Sequence, residues 1–242
     1  MWILWGLPTI YLLQALNEQE IYEPTDIQKD TIPVALEGKD IYACAATGTG
    51  KTLAFMLPVL ERLHLKPEQA TRVLVLTPTR ELALQVHEVV QRLKKHIRHI
   101  YCTVLAGGLN LNEQAALLSK IPDIVVATPG RLLDHLNSTP SFGLEDIEVL
   151  ILDEADRMLD EEFIDQVKEI LSHCYVHRQT MLFSATMSDQ VNELADITLK
   201  NPVKIFVNDE DQVAINLSQE FIKISSSMEK RKDAILAGNT ST

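Results

Sequence analysis

Seven short apolar runs alternate with longer segments of helical periodicity, and this alternation constrains the fold more than any other feature of the chain. The runs are DIYACAA (40–46), RVLVLT (72–77), IYCTVLA (100–106), DIVVAT (123–128), EVLILD (148–153), TMLFSAT (180–186) and VKIFV (203–207). Their apolar residues are continuous rather than alternating, the pattern of strands covered on both faces. Between them, KTLAFMLPVLERL, RELALQVHEVVQRLKK, NLNEQAALLSK and DQVNELADITLK carry apolar residues at helical spacing. Strand–helix alternation at this length predicts an α/β fold, a doubly wound and mostly parallel sheet in three α/β/α layers. Ligands of such folds sit beyond the carboxyl ends of the strands.

The chain has 242 residues and a formal net charge of −12. That charge argues against coating nucleic acid by bulk electrostatics, but leaves room for a few placed phosphate contacts. Cys44, Cys102 and Cys174 have no paired spacing and read as reduced, buried thiols of an intracellular protein. HCYVH (His173, Cys174, His177) has no second ligand pair at zinc-like spacing, so a zinc site is not expected. The opening MWILWGLPTIYLL lacks a basic n-region, is interrupted by Pro8 and is too short for a membrane span. It reads as an apolar leader, running into the start of the segment before Thr25 (1–23), that packs on the domain with no membrane association; a cryptic signal sequence is the lesser alternative. The tail contains a strand-like piece, Gln219–Ile224, then a basic helix-capable segment. Residues 209–242 read as a linker and the orphaned start of another α/β unit, or as a flexible tail.

CAATGTGKTLAF (44–55) follows a predicted strand and opens a predicted helix, the context a phosphate-binding loop requires. The strict pattern begins with glycine, where this chain has Ala45; Gly48, Gly50, Lys51 and Thr52 match. Glycines let backbone N–H groups turn around a phosphate, and the helix that follows presents its positive end. Lys51 is expected on the β- and γ-phosphates and Thr52 on Mg²⁺. Such a loop needs an acid at the end of a neighbouring strand to help hold the metal, and Asp153 closes EVLIL. Glu154, beside it, suits positioning or deprotonating an attacking water. Taken alone, the pair would read as a solvated acidic helix start; together with the loop, the catalytic reading wins.

These residues resemble the DEAD-box RNA helicases over nearly all of 20–208. AATGTGKT, PTRELA (78–83), Gly107–Gly108, TPGR (128–131), DEAD (153–156) and SAT (184–186) follow in that family's order, and EPTDIQ (23–28) resembles the end of its Q motif. CAATGTGKT, QTMLFSATM and KNPVKIFVN look closest to the nucleolar branch that serves the large ribosomal subunit. The resemblance implies a RecA-like P-loop NTPase domain over 24–208, using ATP and Mg²⁺. It implies that Gln28 pairs with adenine, that Thr25 fixes its loop, and that Ala46, Thr47, Gly48, Thr49, Gly50, Lys51 and Thr52 cradle the nucleotide. Lys51, Asp153 and Glu154 would be catalytic, and Thr52 and Asp153 would hold the metal. Pro78, Thr79, Arg80, Gly108, Thr128, Pro129, Gly130 and Arg131 would meet the RNA backbone; for Arg80 alone, an ion pair with Glu81 or Glu88 is the competing account. Asp156, Ser184, Ala185 and Thr186 would couple the two sites, the hydroxyls bonding Asp156; without the resemblance, they would read as helix caps.

The resemblance further implies a monomer that acts on pre-rRNA with pre-ribosomal proteins in the nucleolus. Glu20 and Ile21 stand where the Q motif usually has glycine and an aromatic, Tyr22 falls one step along, and Asp26 replaces a proline. Ile3 occupies the register of the upstream aromatic, between Trp2 and Trp5, so adenine stacking and ATP affinity are expected to be weak. No arginine-rich second-domain motif follows residue 208. The expectation is therefore weak ATP binding, very slow hydrolysis and no unwinding by this chain alone. A non-catalytic RNA- or partner-binding fragment is the second reading; DEAD and SAT together disfavour a DNA translocase.

Overall fold

The computed structural model describes Trp2 and residues 9–207. The rest of the leader, Asn208 and the segment 209–242, with the strand expected at Gln219–Ile224, lie outside the described residues. The chain forms α1 (Ile10–Glu18), α2 (Asp26–Leu36), β1 (Ile41–Ala45), α3 (Lys51–Leu65), β2 (Val73–Leu76), α4 (Arg80–Leu93), β3 (Cys102–Leu105) and α5 (Leu111–Leu118). There follow β4 (Ile124–Ala127), α6 (Pro129–Ser138), β5 (Val149–Leu152), a 3₁₀ turn (Ala155–Arg157), α7 (Glu161–His173), β6 (Gln179–Ser184), α8 (Asp189–Thr198) and β7 (Val203–Val207). All seven strand-like runs are strands, trimmed by a residue or two where the polar flanks enter turns. Among the helices, α1, α2, α6 and α7 had not been singled out from periodicity.

The seven strands make one sheet of order β3-β4-β2-β5-β6-β1-β7, with parallel pairing throughout. Side chains of a strand alternate between faces, and the two faces hold separate cores. Ala43, Val75, Val126, Ile151 and Phe183 point to one face, against Leu16 of α1, Ile32 of α2, Phe55 of α3 and Val90 of α4. Tyr42, Leu74, Val125, Leu150 and Leu182 point to the other, against Leu118 of α5, Leu132 of α6, Val167 of α7 and Val191 of α8. Burial on both faces is why the runs read as unbroken apolar stretches. Trp2, 4% exposed, joins the first core and donates its indole N–H to the Ile21 carbonyl at 3.3 Å.

At the amino edge, Asp40 fastens three strands together. Its carboxylate accepts from the backbone N–H of Thr180 and of Lys200, each at 2.7 Å, and its carbonyl accepts from Val203 N–H at 2.8 Å. This sets the starts of β1, β6 and β7 level, so their carboxyl ends finish together. Asp40→Ala is expected to strip two charge-assisted bonds from buried amides and cost about 2–4 kcal/mol in urea unfolding. A loss below about 0.5 kcal/mol would show that the clip does not matter.

Candidate nucleotide and nucleic-acid sites

Both groups of candidate residues lie beyond the carboxyl ends of the strands. The loop after β1 turns on Gly48 (φ 84°) and Gly50 (φ 90°), which sit in the left-handed region. Gly50 is the N-cap of α3, and a Cβ there would lie 2.3 Å from Gln28 Nε2, so no side chain fits. Thr25 and Gln28 brace this loop from behind. Thr25 Oγ1 donates to Thr49 O at 2.8 Å, and Gln28 Nε2 donates to Gly50 O at 3.0 Å. The other end of the Gln28 amide accepts from Thr25 N–H at 2.9 Å. Gln28 is 2% exposed. Pairing with adenine therefore calls on its second amide hydrogen and second lone pair, or on release of the Gly50 carbonyl. Within the loop, Thr49 Oγ1 closes onto Ala46 O at 2.8 Å. Lys51 is buried and donates from Nζ to Ala45 O at 2.9 Å, across the space the loop encloses.

The acidic corner is two strands away. Pairing of Cys44 with Ser184 and of Leu152 with Leu182 puts β1 and β5 on either side of β6, with β5 ending level with Tyr42, short of the end of β1 at Ala45. Asp153, 3% exposed, is no solvated helix start; α7 begins only at Glu161, capped by Asp160. Burial pushes the Asp153 carboxyl up to about 6, and the charge of Lys51 works against that rise. A magnesium ion suits this pair: the Asp153 carboxylate and the Thr52 hydroxyl are hard oxygen donors, and the buried acid lacks a cation strong enough to offset its burial.

Glu154 takes a left-handed backbone (φ 52°), its N–H donating to Asp153 Oδ1 at 3.0 Å and its carboxylate pairing with Arg157 at 2.7 Å. The expected bond from the Ser184 and Thr186 hydroxyls to Asp156 is not formed. Asp156 accepts from the Ala185 backbone N–H at 3.4 Å, while Ser184 Oγ donates to Thr186 O at 2.8 Å and accepts from Thr186 N–H at 3.2 Å. A hydroxyl flanked by its own chain's amide and carbonyl two residues on satisfies itself locally. Neither residue caps α8 either; Ser188 does.

Pro78, Arg80, Thr128, Pro129 and Gly130 line one groove with Gly107, where β2, β4 and β3 end side by side. Thr79 caps α4, its side chain accepting from Leu82 N–H at 3.2 Å, and Thr128 caps α6 with its own side chain making no cap bond. The Arg80 guanidinium lies against Gly108 (φ 75°), where a Cβ would be 2.4 Å from Nη1. Glu88, weighed as a partner for Arg80, pairs with Arg92 instead. Arg131 donates from Nη1 to Leu109 O at 3.0 Å and pairs through Nε with Asp134 at 3.2 Å. Phe163 and Gln166 of α7 also line the groove. They were missed, although Phe163, Val167 and Ile170 show the spacing of a helix.

These two sites fall within residues 25–194, which match the DEAD/DEAH box helicase family; the chain belongs to that family. It is 59% identical over 228 residues to the "Probable ATP-dependent RNA helicase DDX27" of Homo sapiens, covering 93% of this chain and 30% of that protein. It is 50% identical over 214 residues to the "ATP-dependent RNA helicase DRS1" of Candida albicans, covering 88% of this chain and 35% of that protein. A solved structure titled as a hypothetical ATP-dependent RNA helicase from Sulfolobus tokodaii matches with a TM-score of 0.73 and 35% identity, over 81% of this chain and 56% of that one. The chain spans about a third of the length of the curated relatives it matches.

Folding raises the Asp153 pKa above its ordinary 3.8 to about 6. Its contribution to stability is therefore complete below that ordinary value and is lost as pH rises through about 6. Asp153→Asn is expected to stabilise the nucleotide-free protein by roughly 1–3 kcal/mol at pH 8 and by less at pH 5. Thermal melts at the two pH values check this; a stability loss at pH 8, or a gain independent of pH, would contradict it.

Proposed function

We propose that this chain is the N-terminal ATP-binding domain of an ATP-dependent RNA helicase, taking up Mg-ATP in the loop after β1 and an RNA backbone in the groove beyond β2, β4 and β3. The burial of Lys51 inside the glycine-rich loop after β1, with Asp153 buried at the end of β5 across β6, carries this reading. A buried ammonium beside a glycine-rich turn, facing a buried carboxylate, is an arrangement for a polyanion and its cation. Bound magnesium would supply charge neutralisation at the phosphates.

The chain's own residues do the rest. Nucleotide binding draws Lys51 off the Ala45 carbonyl and onto phosphate, while the N–H groups around Gly48 and Gly50 close on the same anion. Thr25 and Gln28 hold the loop in place and present the amide that selects adenine. Glu154 positions the attacking water and accepts its proton. The bond between Asp156 and the Ala185 amide is the link by which a change at the acidic corner reaches β6. In the groove, Arg80, Arg131 and the amides at the start of α6 favour phosphate without reading bases.

The same resemblance supports a place in ribosome biogenesis, with pre-rRNA as the RNA, pre-ribosomal proteins as partners and the nucleolus as the location. Lys51→Ala is expected to weaken binding of a fluorescent ATP analogue at least tenfold. Glu154→Gln is expected to leave that affinity within about threefold while lowering RNA-stimulated phosphate release. Undiminished binding by Lys51→Ala would overturn the nucleotide-site reading. If the unaltered chain binds nucleotide and RNA but releases no phosphate, it serves as a binding module.

A further inference from the structure

Beneath the groove lies a buried polar chain that nucleotide chemistry does not use. His135 of α6 is fully buried, with Nδ1 3.0 Å from Thr139 Oγ1 and Nε2 3.1 Å from Gln114 Oε1. Gln114 of α5, 3% exposed, donates from Nε2 to the Ala106 carbonyl at 3.1 Å. The directions of these bonds follow from one another. Because the Gln114 amide nitrogen is spent on Ala106, its oxygen faces His135, so His135 Nε2 must carry hydrogen. In the neutral ring Nδ1 is then an acceptor, and takes the Thr139 hydroxyl. Burial lowers the His135 pKa, with the Arg131 charge adding to it, in keeping with a neutral ring.

Ala106 opens the turn that the groove is built on. Gly107 lines the groove, Gly108 lies under the Arg80 guanidinium, and the Leu109 carbonyl is held by Arg131. Two of these anchors come from residues already assigned to RNA. The third comes from Gln114, which His135 keeps in one orientation. We propose that His135 and Gln114 are positioning residues for RNA binding, fixing the Ala106–Leu109 turn so that Arg80 and the glycine amides meet phosphate in a set geometry. This rests on reading the groove as the RNA site.

The test uses the 242-residue chain, a fluorescein-labelled oligouridylate read by anisotropy, and a fluorescent ATP analogue. Gln114→Ala and His135→Phe are each expected to raise the RNA dissociation constant about tenfold, with nucleotide affinity unchanged and faster amide exchange at Gly107 and Gly108. Gln114→Glu keeps the volume and the acceptor for His135 but removes the donor to Ala106, and should show the same loss if Gln114→Ala does not fold. His135→Gln, which retains an N–H at similar reach, should restore most of the affinity. A buried substitution away from the groove, Leu194→Ala, should lower stability and spare RNA binding. Wild-type RNA affinity in both Gln114 variants, or an equal loss in Leu194→Ala, overturns the proposal. Undiminished RNA affinity in Arg80→Ala overturns the groove reading itself, and the proposal with it.

Discussion

The ammonium of Lys51 is the charge on which the carboxyl edge of this sheet depends. It sits inside the loop after β1, nearly closed from solvent, resting on the Ala45 carbonyl. It also opposes the burial that would keep Asp153 protonated. A buried amine resting on a backbone carbonyl and a buried acid that takes the Glu154 N–H are both costly. The fold keeps them because β1, β6 and β5 lie side by side in one parallel register, Tyr42 on Leu182 and Leu182 on Leu152, with the Asp40 clip holding β1 to β6 at the other edge. An anion between the two corners, with its cation, relieves both costs together.

The same sheet edge carries the second site, and its two halves meet where β2 pairs with β5. On one side stand the glycine-rich loop and the acids; on the other, the starts of α4 and α6 and the turn at Gly107–Gly108. Helix N-termini gather here because every strand is parallel, so each following helix begins at this edge. Orphan N–H groups therefore accumulate on one side of an otherwise acidic molecule. A net charge of −12 is thus compatible with the proposed phosphate recognition: local donors would bind, and the remaining surface would repel nonspecific association.

Much of this was legible in the residues. Fully covered strands must be apolar along their whole length, so all seven could be read directly. Gly48, Gly50 and the strand–loop–helix context marked the loop after β1, and both glycines take left-handed φ values. The side-chain bonds were not legible, because they depend on which backbone groups are left over once elements pack. Gln28 braces the loop since the Gly50 carbonyl, which already takes the Ala54 N–H, has a second lone pair beside it. Asp156 takes the Ala185 amide since Ser184 is satisfied by Thr186. Among the missed helices, α2 holds an internal proline, Pro33, and α1 lies within a segment read as a leader. His135 and Gln114 are far apart in the chain and gave no signal until α5 and α6 were side by side.

A crystal structure of the chain with Mg²⁺ and a non-hydrolysable ATP analogue tests the central claim most directly. The account predicts that Lys51 Nζ leaves the Ala45 carbonyl for the phosphates. It also predicts a single ion between Thr52 and Asp153, held by the acid directly or through one water. A triphosphate bound with Lys51 still on Ala45, or an ion remote from Asp153, would contradict it.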